Sequence, residues 1–198
     1  MSAPQTLLQL AGADQIPPRL AHTAVVLIDM QNEYLNGPIA VTGAEAAVAQ
    51  AAALLARARA EGAPVLHIAH KGRSGGLFDR QAERGRIVGA LAPHAGEPEI
   101  EKGLPNAFAG TTLAEALAET GREELVLAGF MTHMCVSSTA RAATDLGFRT
   151  TVLAPACASR DLPDGQGGVI EAALVHRVAL VELSDRFAVI ARTLDVLG

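Results

Sequence analysis

The sequence predicts a three-layer α/β/α fold built on a doubly wound, mainly parallel, Rossmann-like sheet. Short apolar runs alternate along the chain with longer helical patterns. The runs also lack the apolar–polar alternation of a half-exposed strand, so both faces of the sheet must be covered by helices. With 198 residues, 49% of them hydrophobic, the chain is long enough for one large core. A single domain over residues 1–198 is expected, with 1–20 as an N-terminal extension.

The elements follow in order. Ala24-Val25-Val26-Leu27-Ile28 reads as the first strand. Gly43 to Glu61 is alanine-rich and helical, and Gly62 ends it. Pro64 to Ala69 reads as the second strand. Lys71 to Lys102, rich in Gly, Arg and Pro, is expected to form an irregular loop over the site. Thr111 or Thr112 caps a helix to about Glu119, with Gly121 beyond it. Leu125 to Ala128 is a third strand, Ser137 to Gly147 a helix, and Thr150 to Ala154 a fourth strand. Gln166 to His176 reads as a helix, Val178 to Leu183 as a fifth strand, and Ser184 as the cap of a final helix. Tryptophan is absent and aromatics make up 3%, so Ala, Val, Leu and Ile must build the core.

Composition excludes several classes. The net charge of −5, with no long basic run, argues against a nucleic-acid partner. No apolar run approaches the roughly 18 residues of a membrane helix. Met1 to Leu20 holds Asp14 and three prolines and has no apolar signal core, so a cytoplasmic location is expected. Cys135 and Cys157 are too few for a disulfide framework. Phosphate-loop and dinucleotide fingerprints are missing, and no cofactor is expected; the Gly165-Gln166-Gly167-Gly168 cluster follows no strand.

In a doubly wound sheet the site lies beyond the carboxyl ends of the strands. Gly129-Phe130-Met131-Thr132-His133-Met134-Cys135-Val136 falls there, between the third strand and its helix. Cys135 is thereby placed at a helix start, whose partial positive charge favours the thiolate. The free N–H groups of such a start can also hold an oxyanion. Asp29 ends the first strand, and Lys102 lies in Glu101-Lys102-Gly103-Leu104-Pro105-Asn106-Ala107-Phe108. An acid, an amine and a thiol brought together suit nucleophilic catalysis. Asp29 could take the thiol proton; Lys102 could stabilise the thiolate and hold the carboxylate ionised.

Three motifs carry a resemblance: Asp29-Met30-Gln31-Asn32, Lys102 in its Lys-x-x-Pro-x-Ala-Phe context, and Gly129 to Val136. With Ala158 to Leu162 and His176-Arg177, they make the chain similar to the isochorismatase-like cysteine hydrolases from about residue 22 onward. That superfamily includes nicotinamidases, carbamoylsarcosine amidases, biuret and ureidoacrylate amidohydrolases, and streptothricin hydrolase. The resemblance implies a six-stranded sheet and Asp29, Lys102 and Cys135 as a catalytic triad. It implies a cis Phe130–Met131 peptide bond, which would aim the Met131 N–H, with that of Cys135, at the oxyanion. It also implies a homo-oligomer, dimer or tetramer, acting on a small-molecule substrate. Metal-binding members carry an Asp-x-His motif where this chain reads His67-Ile68-Ala69-His70, which argues against bound zinc and nicotinamidase activity. True isochorismatases lack the nucleophilic cysteine, so Cys135 favours C–N hydrolysis over vinyl-ether cleavage.

The substrate pocket is expected at Gln31, Phe108, Phe130 and His133. Core packing is the alternative for Phe108; for Gln31 and Asn32 it is orienting Asp29 or capping the next turn. His133 precedes Cys135 by two residues and cannot face it on a helix, so it is not the base. His67 and His70, three apart on a strand, point to opposite faces and make a poor metal pair. Cys157 reads as a packed thiol, His176 as a satisfied histidine, and Arg160 with Asp161 as a structural ion pair near the site. Arg73, Arg80, Arg84 and Arg86 are solvated or bind an acidic substrate. Vinyl-ether hydrolysis, a silent ligand-binding scaffold and a thiol redox role remain as alternatives to amide hydrolysis.

Overall fold

The computed structural model describes residues 3–198. In chain order its elements are α1 (Leu7–Leu10), β1 (Thr23–Ile28), α2 (Glu33–Asn36), α3 (Ala44–Ala60), β2 (Val65–His70), β3 (Glu99–Lys102) and α4 (Leu113–Thr120). There follow β4 (Glu124–Phe130), a π-helical turn (Thr132–Val136), α5 (Ser137–Asp145), β5 (Arg149–Ala158), β6 (Leu162–Pro163), β7 (Val169–Ile170), α6 (Ala172–Arg186) and β8 (Val189–Ala191). Six strands form one sheet in the order β3-β2-β1-β4-β5-β8, every neighbouring pair parallel. The chain enters at the centre, winds outward through β2 and β3, then returns to β4 and winds the other way. The reversal places a crevice at the carboxyl ends of β1 and β4, where doubly wound folds bind ligands.

Both faces of the sheet are covered, as the unbroken apolar runs require. Val25 and Leu27 join one core with Ala44, Ala51, Leu54 and Leu55 of α3. Ala24, Val26 and Ile28 join the opposite core with Leu113 and Leu117 of α4, Ala140 of α5 and Leu180 and Leu183 of α6. Thr6 caps α1 by accepting from the Gln9 N–H at 3.1 Å. The Leu7 N–H donates to Asp185 at 2.9 Å, so this part of the N-terminal extension is tied to α6.

Three expectations are corrected. Val178 to Leu183 is not a strand but the body of α6, and the helix expected from Gln166 begins only at Ala172, after a short β6–β7 hairpin. Leu174, Val178 and Val181 are exposed, so α6 is apolar on its outer face too and its sequence imitates a buried strand. Ser184 lies within α6, donating its hydroxyl to the Val181 carbonyl, and the fifth connection leads to β8 instead of a final helix. Third, the region expected to be irregular contains β3. It is a sheet edge that buries only Ile100 and Lys102, so its charged sequence gave no apolar signal.

Gly129 shows how tightly the site's framework is built. Its φ is +137°, and an added Cβ would lie 2.0 Å from the Ile28 carbonyl oxygen. This close approach brings β4 against β1 one residue before Asp29. Gly129→Ala is expected to lower the free energy of unfolding by about 2–4 kcal/mol, through backbone strain and overpacking together. Urea denaturation of the variant beside the native protein checks this.

Candidate active site

Asp29, Lys102 and Cys135 come together at the carboxyl edge of the sheet. Asp29 follows β1 with a φ of 52°, a left-handed conformation that aspartate tolerates better than most residues. Lys102 ends β3, and its side chain reaches past β2 to the centre of the sheet. Its Nζ lies 2.7 Å from Asp29 Oδ2, both side chains being fully buried. The same ammonium donates to Cys135 Sγ at 3.3 Å and to the Leu104 carbonyl at 3.0 Å. The Asp29–Lys102 contact is an ion pair by length but lies off the hydrogen-bond axis. The Lys102 and Cys135 side chains both act on the Asp29 carboxylate to favour its ionised form.

Cys135 sits inside the π-helical turn and is buried. The Phe130–Met131 peptide bond before that turn is cis. The Met131 carbonyl accepts from Met134 and Val136 at 3.0 and 3.2 Å, a pattern that skips the Cys135 N–H.

The electrostatics correct the expectation of a ready thiolate. Burial first, and then the Asp29 charge, push the Cys135 thiol up to about 12, against the opposing pull of Lys102. Burial also raises Asp29 above the ordinary carboxylate range, with Lys102 acting the other way. Burial and the Asp29 charge therefore outweigh the Lys102 ammonium, and the resting Cys135 thiol carries its proton at neutral pH. Alkylation of Cys135 by iodoacetamide is accordingly expected to be slow at pH 8 and still rising at pH 10. Mass spectrometry of the Cys135 peptide reads this directly; a plateau near pH 8 would contradict it.

The expected pocket residues fare differently. Gln31 is fully buried and its amide is spent on backbone, donating to the His70 and Gly85 carbonyls and accepting from the His70 N–H. It is a strut under the site. Phe130 is also fully buried, edge-on to Tyr34 at 5.5 Å between ring centroids, and belongs to the core. Phe108 stacks on Phe148 at 6.1 Å and packs against the α5 side of the core. His133 is half-buried within the π-helical turn, its Nδ1 3.1 Å from Ser159 Oγ and its Nε2 without a partner among the described residues. Of the four, only His133 keeps a polar atom for a ligand.

Other readings sharpen. Arg160 and Asp161 form no ion pair: Arg160 donates to the Asp161 carbonyl, while the Asp161 carboxylate accepts from the Ala172 N–H at the start of α6. His176 Nδ1 is 2.8 Å from Thr132 Oγ1, tying α6 to the π-helical turn. Cys157 is a buried free thiol. Arg80 pairs with Glu99 and Glu101, Arg84 with Glu33, and Arg86 with Glu83, so these three are engaged by the protein's own acids. Glu33, unnoticed in the sequence, is fully buried; it accepts from the Phe78 N–H at 3.1 Å and pins the long loop. His67 turns to Glu97 at 3.0 Å. His70, set aside in the sequence as one of a poor metal pair, lies against Lys102 with Nδ1 3.1 Å from Nζ. Among the described residues no three His, Cys, Asp or Glu side chains gather as a metal cluster. A surface cavity of about 640 Å³ is lined by Arg59, Pro64, His94 and Glu97, and by none of Asp29, Lys102 and Cys135.

Fold and site together define a doubly wound α/β protein with a buried carboxylate–ammonium–thiol cluster at its topological switch point. Residues 23–194 match the family model described as the isochorismatase domain. The crystal structure of an isochorismatase from Pseudomonas putida KT2440 superposes with a TM-score of 0.92 at 43% identity, covering 96% of this chain and 97% of that one. The secreted isochorismatase effector Isc1 of Verticillium dahliae is 35% identical over 91% of this chain and 95% of its own length. Maleamate amidohydrolase of Pseudomonas putida is 35% identical over 66% of this chain and 69% of its own length. The chain belongs to the isochorismatase family and is a hydrolase of that family. No helix among the described residues is long and apolar enough to cross a membrane.

Proposed function

We propose that the protein is a cysteine amidohydrolase that cleaves the C–N bond of a small amide, ureido or lactam-type substrate. The observation that carries this reading is the single Lys102 ammonium standing 2.7 Å from Asp29 Oδ2 and 3.3 Å from Cys135 Sγ. The amidohydrolase name of one relative supports it. In the proposed sequence Asp29 accepts the Cys135 proton as the sulfur attacks the carbonyl carbon, and Lys102 offsets the developing charge. The Met131 and Cys135 N–H groups hold the tetrahedral oxyanion. Collapse expels the nitrogen, which takes the proton back from Asp29, and leaves a Cys135 thioester. Water then gives a proton to Asp29 as it attacks the thioester carbonyl, and Cys135 leaves, taking that proton back from Asp29 as the acid product forms. We expect a homo-oligomer with a small molecule, not a nucleic acid, as the ligand.

The test is ammonia or amine release from a panel of maleamate-like amides, ureido acids and streptothricin-type lactams, with isochorismate included. Release from an amide-type member, lost in Cys135→Ala, supports the reading. Cleavage of isochorismate alone, surviving that substitution, would replace it with vinyl-ether hydrolysis.

A further inference from the structure

His70 ends β2 and is in parallel register with Lys102 of β3, so both side chains emerge on one side of the sheet at its carboxyl edge. Gln31 holds the His70 backbone on both sides, accepting its N–H at 2.8 Å and donating to its carbonyl at 2.9 Å. The imidazole packs against Phe78, with ring centroids 4.8 Å apart. Backbone and ring are thus both fixed, and Nδ1 is left 3.1 Å from Lys102 Nζ. An ammonium offers only donors, so Nδ1 must be the acceptor and the ring proton must sit on Nε2. Burial, followed by the Lys102 charge, pulls His70 down to about 4, which keeps the ring neutral at physiological pH.

Lys102 has three N–H bonds to place, and three aligned acceptors surround it: the Leu104 carbonyl, His70 Nδ1 and Cys135 Sγ. Two of these acceptors are held by the framework. With two N–H bonds pinned, one remains to be shared between the Cys135 sulfur and Asp29 Oδ2, 2.7 Å away, and the ammonium cannot turn wholly to the carboxylate. Without His70 the ammonium is free to rotate towards Asp29, the strongest acceptor nearby, and to turn away from Cys135. We propose that His70 is a positioning residue whose Nδ1 fixes the Lys102 ammonium so that it faces the Cys135 sulfur. This rests on the reading of Cys135 as the nucleophile, and it adds a fourth member that acts through Lys102.

Two variants and a spectrum test it. In His70→Asn the amide oxygen takes the place of Nδ1 and can accept the same bond; in His70→Phe the ring shape stays but the acceptor is lost. Cys135 alkylation by iodoacetamide at pH 9 is expected to fall about tenfold in His70→Phe, the worth of one hydrogen bond to the reacting sulfur. His70→Asn is expected to stay within about threefold of the native rate. Thermal unfolding of each variant, run in parallel, verifies that both are folded at the assay temperature. The ¹⁵N spectrum of the native protein at pH 7 should show His70 with a bare Nδ1 and a protonated Nε2. A protonated Nδ1, a His70→Phe rate at or above native, or a His70→Asn loss as large as that of His70→Phe overturns the proposal. Failure of the amidohydrolase reading is a separate result, since it appears as amide turnover that survives Cys135→Ala.

Discussion

Cys135→Ala is expected to reduce amide turnover by roughly a thousandfold or more, the scale on which removal of a covalent nucleophile acts. The fold should tolerate it. Cys135 is 3% exposed and small, and alanine leaves a void of one sulfur atom, which costs about 1 kcal/mol. The released Lys102 N–H has Asp29 Oδ2 beside it as a new acceptor. A large loss of kcat with a small shift in Tm is therefore the expected signature. Cys135→Ser should be nearly as inactive, since a buried hydroxyl ionises far less readily than a thiol in the same place. Asp29→Asn set beside Cys135→Ala separates the two family chemistries. Amide hydrolysis requires both Asp29 and Cys135, whereas vinyl-ether cleavage by protonation requires Asp29 alone. Loss of activity in both variants is expected, measured as kcat/KM on one substrate under one buffer condition.

Parts of the architecture were legible for a physical reason. β1, β2, β4 and β5 are buried on both faces, so most of their residues are apolar and each carries a short apolar run, with His67, Thr150 and Thr151 as buried polar exceptions. β3 was not legible, because Glu99 and Glu101 face solvent at the sheet edge and break the pattern. α6 was misread for the opposite reason: Val178 and Val181 are apolar yet exposed, so the segment resembles a buried strand. The proximity of Asp29, Lys102 and Cys135 was legible because each sits in a dense local motif, and the structure brings all three together. His70 was not, since its partner becomes visible only once β3 is known to pair with β2. Gln31 was taken for a pocket wall because its acceptors, the His70 and Gly85 carbonyls, lie 39 and 54 residues away. Local motifs mark the clustered side chains, while the struts that hold them depend on long-range register.

The Asp29–Lys102 pair carries the second large effect, on stability instead of rate. Both side chains are fully buried, so neutralising one leaves the other charged without its partner, and breaking such a pair costs about 3–5 kcal/mol. Lys102→Met and Asp29→Asn should each show this loss at pH 8 by urea denaturation, while the double variant Asp29→Asn/Lys102→Met should recover most of it. The pH dependence of Lys102→Met adds a sharper test. Asp29 is already raised above its ordinary 3.8 with Lys102 present, burial being the first cause, and loss of the ammonium raises it further. A raised folded-state value means that the folded protein holds the proton more tightly than the unfolded chain. The associated stability is complete below the unfolded value and is lost as pH rises through the folded one. The Lys102→Met deficit should thus be small near pH 4, where Asp29 is protonated and neutral, and should grow as the pH is raised to 8. A deficit that stayed constant over that range would mean that Asp29 is already protonated beside Lys102 in the native protein. Asp29 could then not receive the Cys135 proton, and the general base of the reaction would have to be sought elsewhere.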